Sequence, residues 1–345
     1  MKQNKAIGSK DRKVIGDTIY DLIRFKGLID RSISKNPTWD ERLEKYLKSS
    51  IEEMGNHREL LPHEKVSFPK EFYDLLLSHL GRDATDEFCR NSNLPAPLTI
   101  RVNLLKISRE ELFKKLSSLF PVSLCQESAV GITFHKKINF FELPEFKQGL
   151  FEVQDEASQL VAEYVEAKPG DEVLDYCAGS GGKSLSIATK MKGKGQIFLH
   201  DVRKKALEMA KQRFKRAGIQ NIQILLDLPP SLKNRMNHLL LDVPCTGSGT
   251  WRRNPDQKWK FNKSVLENLV LEQRKIFDEA MPYLGSKGRI VYATCSVLPE
   301  ENEMQIDYFC QKYKLKSVKP FFKSFPKPNE KDGFFAALLE KTDSV

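Results

Sequence analysis

The chain has 345 residues, a hydrophobic fraction of 40% and a formal net charge of +10. That length favours two or three domains over one, and the apolar content builds a true core, which excludes a disordered chain. The polar, basic stretch Met1–Lys13 lacks the apolar centre of a signal peptide, and no apolar run reaches the roughly 18 residues of a membrane span, so a cytoplasmic protein without membrane contact is expected. The basic excess is spread along the chain and points to an anionic partner, nucleic acid first. Six cysteines (Cys89, Cys125, Cys177, Cys245, Cys295 and Cys310) lie far apart with no Cys-x-x-Cys pair. They form neither a disulfide framework nor a zinc-site pattern, and no metal is expected.

Residues 1–95 read as a helical region. Ile15, Ile19, Leu22 and Ile23 recur at helical spacing, as do Leu43, Tyr46 and Leu47. Further helices are predicted over Lys70–Leu80, after Pro69, and over Ala84–Asn91. The Pro95-Ala-Pro97 break opens a small α+β module, residues 96–150. It has strands at Leu98–Asn103, Val122–Leu124 and Gly131–Phe134, and a helix over Ser108–Leu119 with Ser108 as cap and Glu111 three residues on. Modules of this shape serve RNA contact or simple packing.

Residues 151–345 alternate strand and helix. A helix over Phe151–Ala167 leads to Pro169-Gly170, then a strand ends at Asp175. A glycine turn and a helix over Ser184–Met191 follow. Beyond come strand 196–200, helix 203–217, strands 222–226 and 238–242, helix 264–283 and strand 288–293, with a final strand over Lys331–Lys341, antiparallel and at or near the edge. The pattern predicts an α/β fold, a mostly parallel Rossmann-like sheet with helices on both faces. Ligands then gather at the carboxyl ends of the strands, where Asp175, Asp201, Asp227 and Asp242 all stand.

The turn Cys177-Ala178-Gly179-Ser180-Gly181-Gly182-Lys183 is an anion-binding corner, with backbone N–H groups and a helix N-terminus facing a ligand. A Walker A loop fails because its first glycine falls on Cys177, although His238–Asp242 resembles a Walker B strand. A dinucleotide fingerprint lacks its third glycine. S-adenosylmethionine is the third candidate, with Asp201 ending the next strand to hold ribose hydroxyls. Asp201 in that register does not by itself separate NAD from S-adenosylmethionine.

Two thiols stand at two strand ends. Asp242-Val-Pro-Cys245-Thr-Gly-Ser-Gly-Thr250 follows one strand and Ala293-Thr-Cys295-Ser the next. In a doubly wound sheet these strands are neighbours, so both thiols share the rim of the glycine corner, where a thiolate is a soft nucleophile. Trp251-Arg252-Arg253-Asn254-Pro255 mixes an aromatic with two cations, which suits base stacking and phosphate contact, or else a Trp tucked into the fold.

Val-Leu-Asp-Tyr-Cys-Ala-Gly-Ser-Gly-Gly-Lys183, the Pro-Cys245 segment and Ala-Thr-Cys295-Ser resemble the RNA cytosine-5 methyltransferase family, which includes bacterial small-subunit rRNA enzymes and nucleolar relatives. Phe151–Gln159, Arg101-Val-Asn103 and Asp332-Gly-Phe-Phe335 are similar to further family segments. The first loop has Gly-Ser where Ala-Pro is usual, and the N-terminal helical region is shorter than the antitermination-factor-like domain of the long bacterial members. The resemblance implies a class I S-adenosylmethionine-dependent methyltransferase fold and methyl transfer to C5 of a cytidine in RNA. It implies rRNA as substrate, with transfer RNA as the alternative, and no obligate protein partner. By resemblance Cys295 is the nucleophile and Cys245 assists release. Cys177, Ala178, Gly179, Ser180, Gly181, Gly182 and Lys183 line the methionine end of the cofactor. Asp201 takes its ribose, Asp227 its adenine amino group, and Asp242 borders both cofactor and cytosine edge. DNA cytosine-5 enzymes use the Pro-Cys thiol instead, so the residues alone do not choose between the two. The rival classes are an NTPase or dinucleotide enzyme, and a non-catalytic RNA-binding protein on a methyltransferase fold.

Overall fold

Two sheets organise the chain. The computed structural model describes residues 8–33, 36–57 and 59–342; the first seven residues of the polar Met1–Lys13 stretch lie outside them. Four antiparallel strands, β1 (Leu98–Val102), β2 (Val122–Leu124), β3 (Gly131–Phe134) and β4 (Phe151–Val153), lie in the order β2-β3-β1-β4. Helix Arg109–Ser117 covers one face through Leu112 and Leu116. Its start is a capping box in which Ser108 Oγ accepts from the Glu111 N–H and the Glu111 carboxylate accepts from the Ser108 N–H.

The helix expected to begin at Phe151 begins instead at Glu156. Phe151-Glu-Val153 alternates across a strand, with Phe151 in the small module's core and opposite Val102 of β1. Helix Glu156–Tyr164 starts only where Asp155 supplies an N-cap, its carboxylate accepting from the Ala157 N–H at 2.9 Å.

The larger sheet contains β5 (Glu172–Asp175), β6 (Gln196–His200), β7 (Ile222–Leu225), β8 (Met236–Asp242), β9 (Leu284–Thr294), β10 (Leu315–Ser317), β11 (Phe322–Ser324) and β12 (Phe334–Lys341). Their order is β10-β12-β9-β8-β5-β6-β7, with β11 also paired to β12. From β9 to β7 every pair is parallel. Val173, Leu174, Ile197, Leu199 and Leu239 to Leu241 are wholly buried, as strands covered on both faces require. β12 is antiparallel to β9 and lies next to the edge strand β10, as expected. The short strands β10 and β11 and helix Glu303–Tyr313 have no counterpart in the sequence expectation.

The chain divides into two compact units. One comprises the described residues up to Pro95 together with Thr250–Val265 and Pro326–Pro328. It is helical, with helices such as Ser9–Arg24, Trp39–Lys48, Lys70–Leu80 and Arg82–Ser92. Trp251 is only 2% exposed and packs 4.5 Å from the Phe72 ring, while Arg252 is buried and donates to Lys327 O. Of the two readings open for Trp251-Arg252, the tucked one holds: both are core residues of the helical unit rather than an RNA-facing platform, since burying the indole repays more than exposing it. The other unit holds both sheets. Among the described residues no helix is long and apolar enough to cross a membrane, and no cluster of side chains suits a metal ion.

Asp175 closes β5 and is buried, its Oδ2 accepting from Ser184 Oγ at 2.5 Å. Burial pushes its carboxyl up to about 7, against the Ser184 hydrogen bond. The folded value thus stands above the unfolded one of about 3.9, so the stability it contributes is present at low pH and lost as pH rises through about 7. The variant Asp175→Asn is expected to lose less stability than the parent between about pH 5 and about pH 8, by the order of 2–4 kcal/mol. Calorimetric unfolding at the two pH values checks this; an equal slope in both proteins would contradict it.

Candidate active site

The rim of the parallel sheet collects the side chains. After β5 the chain turns through Gly179 (φ +53°) and Gly181 (φ +77°) into helix Gly182–Lys190. A Cβ on Gly181 would lie 2.7 Å from the Phe214 ring, so both conformation and space demand glycine. The loop is pinned from several sides. Ala178 N–H donates to His200 O and Gly179 N–H to Asp201 Oδ2, each at 2.8 Å. Arg213 Nη1 donates to Ser180 O (2.9 Å) and Oγ (2.7 Å), and Arg101 Nη1 to Gly182 O (2.8 Å). A preformed cradle without side chains at its two left-handed positions fits a close-lying anionic or zwitterionic ligand such as the methionine end of S-adenosylmethionine.

Asp201 follows β6 and accepts four hydrogen bonds, from Gly179 N and from Arg203 N, Nε and Nη2. Burial works against its charge, but the bonds from Arg203 and Gly179 outweigh it and lower the carboxyl below its usual range. The Arg203 side chain is 69% exposed, so its two guanidinium bonds are the replaceable ones when Asp201 receives other donors. Asp227 stands exposed, two residues beyond the end of β7. Cys177 is held as a thiol, raised well above its ordinary value by burial and then by Asp175, Asp242 and Asp201.

Cys245 and Cys295 meet. Asp242 at the end of β8 pairs in register with Ala293 of β9, so the Pro-Cys loop and the Thr-Cys turn leave the sheet side by side. The two sulfurs are 3.5 Å apart. The S–H···S contact with Cys295, then burial, hold Cys245 well above the ordinary thiol value. Either sulfur can donate the S–H of this contact to the other. Facing them, Lys183 Nζ forms an ion pair with Asp242 Oδ2 at 2.6 Å. Burial opposes the Lys183 charge, but Asp242 and then Cys295 hold its ammonium, raising it above the usual lysine value.

A polar floor fixes the Pro-Cys loop. Glu301 is fully buried and accepts from Thr246 N (2.8 Å), Thr246 Oγ1 (2.5 Å) and Gln273 Nε2 (3.0 Å). Burial pushes its carboxyl up against these bonds. Tyr292 Oη donates to Glu301 O, and Thr294 Oγ1 to Asn302 Oδ1. Gly249 N–H donates to Cys295 O, Gly333 N–H donates to Gly249 O, and a Cβ on Gly249 would lie 2.1 Å from Gly333 O. The Asp332-Gly-Phe-Phe segment and the Pro-Cys loop are thereby stitched together. Sequence reasoning missed Glu301, Gln273, Arg213 and the loop-holding role of Arg101. The Pro299-Glu-Glu-Asn302 run directly after the Cys295 turn was the available signal.

Cys177 to Lys183, Asp201, Asp242, Cys245 and Cys295 therefore share the rim of β6, β5, β8 and β9, and Asp227 follows β7, the next strand along. A sequence model described as "16S rRNA methyltransferase RsmB/F" matches residues 162–340, and one described as the RsmF/B-like ferredoxin-like domain matches residues 68–140. The chain is 30% identical over 357 residues, 94% of its own length and 78% of the other, to the protein of Synechocystis sp. named "Probable ribosomal RNA small subunit methyltransferase B". The crystal structure of PH0851 superposes over 99% of this chain and 92% of its own, with TM-score 0.85 and 26% identity. A methyltransferase homolog protein from Pyrococcus horikoshii covers 81% of this chain and 98% of its own, with TM-score 0.73 and 25% identity. The paired thiols, the glycine cradle and the small ferredoxin-like sheet thus belong to a member of the RsmB/F family of 16S rRNA methyltransferases.

Proposed function

We propose that this protein transfers a methyl group from S-adenosylmethionine to C5 of a cytidine in ribosomal RNA through a covalent adduct between Cys295 and C6. The observation that carries the reading is the pair of sulfurs 3.5 Å apart in the turns after adjacent parallel strands, on the rim that carries the glycine cradle. C5 of cytosine is a weak nucleophile. When the Cys295 thiolate adds to C6, the C5–C6 π bond breaks and its electrons make C5 enamine-like. S-adenosylmethionine supplies the electrophilic methyl group that C5 receives. Transfer of the C5 proton to a water molecule acting as base then lets the C5–C6 double bond re-form and expels the Cys295 thiolate. A pure RNA-binding protein would have no use for this arrangement.

The residues divide the work. Cys245, one sulfur contact from Cys295, assists departure of the methylated base. Asp242 borders the cytosine and accepts from its N3/N4 edge, favouring the protonated adduct, while Lys183 fixes the carboxylate and lends positive potential to Cys295. The loop from Cys177 to Lys183 would hold the methionine end of the cofactor, Asp201 its ribose and Asp227 its adenine. A stacked cytosine cannot reach both thiols, so the target is unpaired or flipped out.

Three substitutions test these roles. Cys295→Ala is expected to lower methyl transfer to RNA by at least about a thousandfold while labelled S-adenosylmethionine still binds. Cys245→Ala, purified from its expressing cells, is expected to carry a slower, ribonuclease-sensitive band on a denaturing gel. Free turnover by Cys245→Ala with trapping by Cys295→Ala would reverse the two roles. Lys183→Met removes one partner of a buried ion pair and is expected to lower kcat about tenfold or more, read in single-turnover methylation at saturating cofactor.

A further inference from the structure

The ferredoxin-like sheet offers no open face for bases. Ile100 and Val102 of β1 pack against Leu112 and Leu116, while Thr99 and Arg101 are buried on the opposite side. There Gln159 Nε2, from helix Glu156–Tyr164, donates to Ile100 O at 3.3 Å. The module's uncovered aromatic surface lies instead in the connection between β3 and β4. Phe140, Phe141 and Phe146 form a ring cluster with centroids 4.3 to 5.4 Å apart, yet Phe141 remains 63% exposed. Leaving such a ring in water forgoes the stabilisation that burial would bring.

The cluster forms one wall of a cleft of about 350 Å³, and Met209, Arg213 and Arg216 of helix Lys204–Ala217 form the other. Met209 is 57% exposed. The Arg216 guanidinium lies 4.1 Å from the Phe146 centroid. Arg213 and Arg216 both pair with the single carboxylate of Glu152, two positive charges against one negative, so the lining keeps an excess of one positive charge. Ser180, itself held by Arg213, lies on the lining and connects the cleft to the glycine loop.

Resting on the RNA reading above, we propose that this cleft is a subsite for one unpaired nucleotide of the substrate RNA. Its base stacks on Phe141 between the ring cluster and Met209, and its phosphate answers the surplus guanidinium charge. Exposed rings and cations together are what a sequence-tolerant stacking site for single-stranded nucleic acid requires. A purely apolar occupant would leave that charge unmatched. The chain just after β3 carries exposed His135 and Lys136.

The test compares parent, Phe141→Ala and Phe141→Trp with a 16S rRNA transcript and with S-adenosylmethionine, each titrated separately. Phe141→Ala is expected to weaken transcript binding about tenfold, with Phe141→Trp restoring it and cofactor affinity unchanged in both. If the parent methylates the transcript and Phe141→Ala binds it equally well, the cleft proposal is overturned while the methyltransferase reading stands. A parent that binds cofactor but neither binds nor methylates the transcript removes the RNA reading and this proposal with it. Loss of transcript and cofactor binding together in Phe141→Ala would mark the ring as structural, and a parent dimer that Phe141→Ala dissolves would give the cleft to a second copy; either overturns the proposal.

Discussion

The parallel pairing of β8 with β9 is the constraint on which the site depends. Because Asp242 and Ala293 are register partners, the turns that follow them must leave the sheet together, and two sulfurs arrive 3.5 Å apart. A one-residue slip would move both turns and exchange the faces of every side chain in the strand. Buried aliphatic runs in both strands hold the register. At that separation two thiols share a proton more readily than they both ionise.

What surrounds the pair tunes rather than creates it. Glu301 is a buried carboxyl group whose oxygens accept from Thr246 and Gln273 and so fix the Pro-Cys loop. Lys183 and Asp242 stand as an ion pair between the cofactor cradle and the thiols. The cradle in turn is held through its carbonyls by Arg101 and Arg213, which the small sheet anchors through Gln154 and Glu152. Strain or movement in that small sheet therefore reaches the cofactor loop through two guanidiniums rather than through packing alone.

Much of this was legible in the residues. The strands ending at Asp175 and Asp242 announced themselves as unbroken apolar runs, the glycine turn by composition, and the common rim of Cys245 and Cys295 by the alternation of strand and helix. What misled has physical reasons. Phe151-Glu-Val153 carries too few residues to reveal a period of two, and the capping carboxylate of Asp155 was the better boundary marker. Trp251 and Arg252 look like an RNA platform on paper, but their rings and cations are satisfied by Phe72 and the Lys327 carbonyl, partners far away in sequence. Glu301 had only the faint signal of the run after the Cys295 turn, because a buried carboxylate is recognised by its donors, and those lie 28 and 55 residues away.

The most direct test of the central claim is to ask which sulfur bonds to the base. The parent protein is incubated with S-adenosylmethionine and a 16S rRNA transcript carrying 5-fluorocytidine, whose C5 fluorine cannot leave as a proton does. The stalled adduct is digested and its nucleotide-bearing peptide mapped by mass spectrometry. The account predicts the nucleotide on Cys295 with Cys245 unmodified. A nucleotide on Cys245, or methylation of ordinary transcript with no adduct on either sulfur, would contradict it.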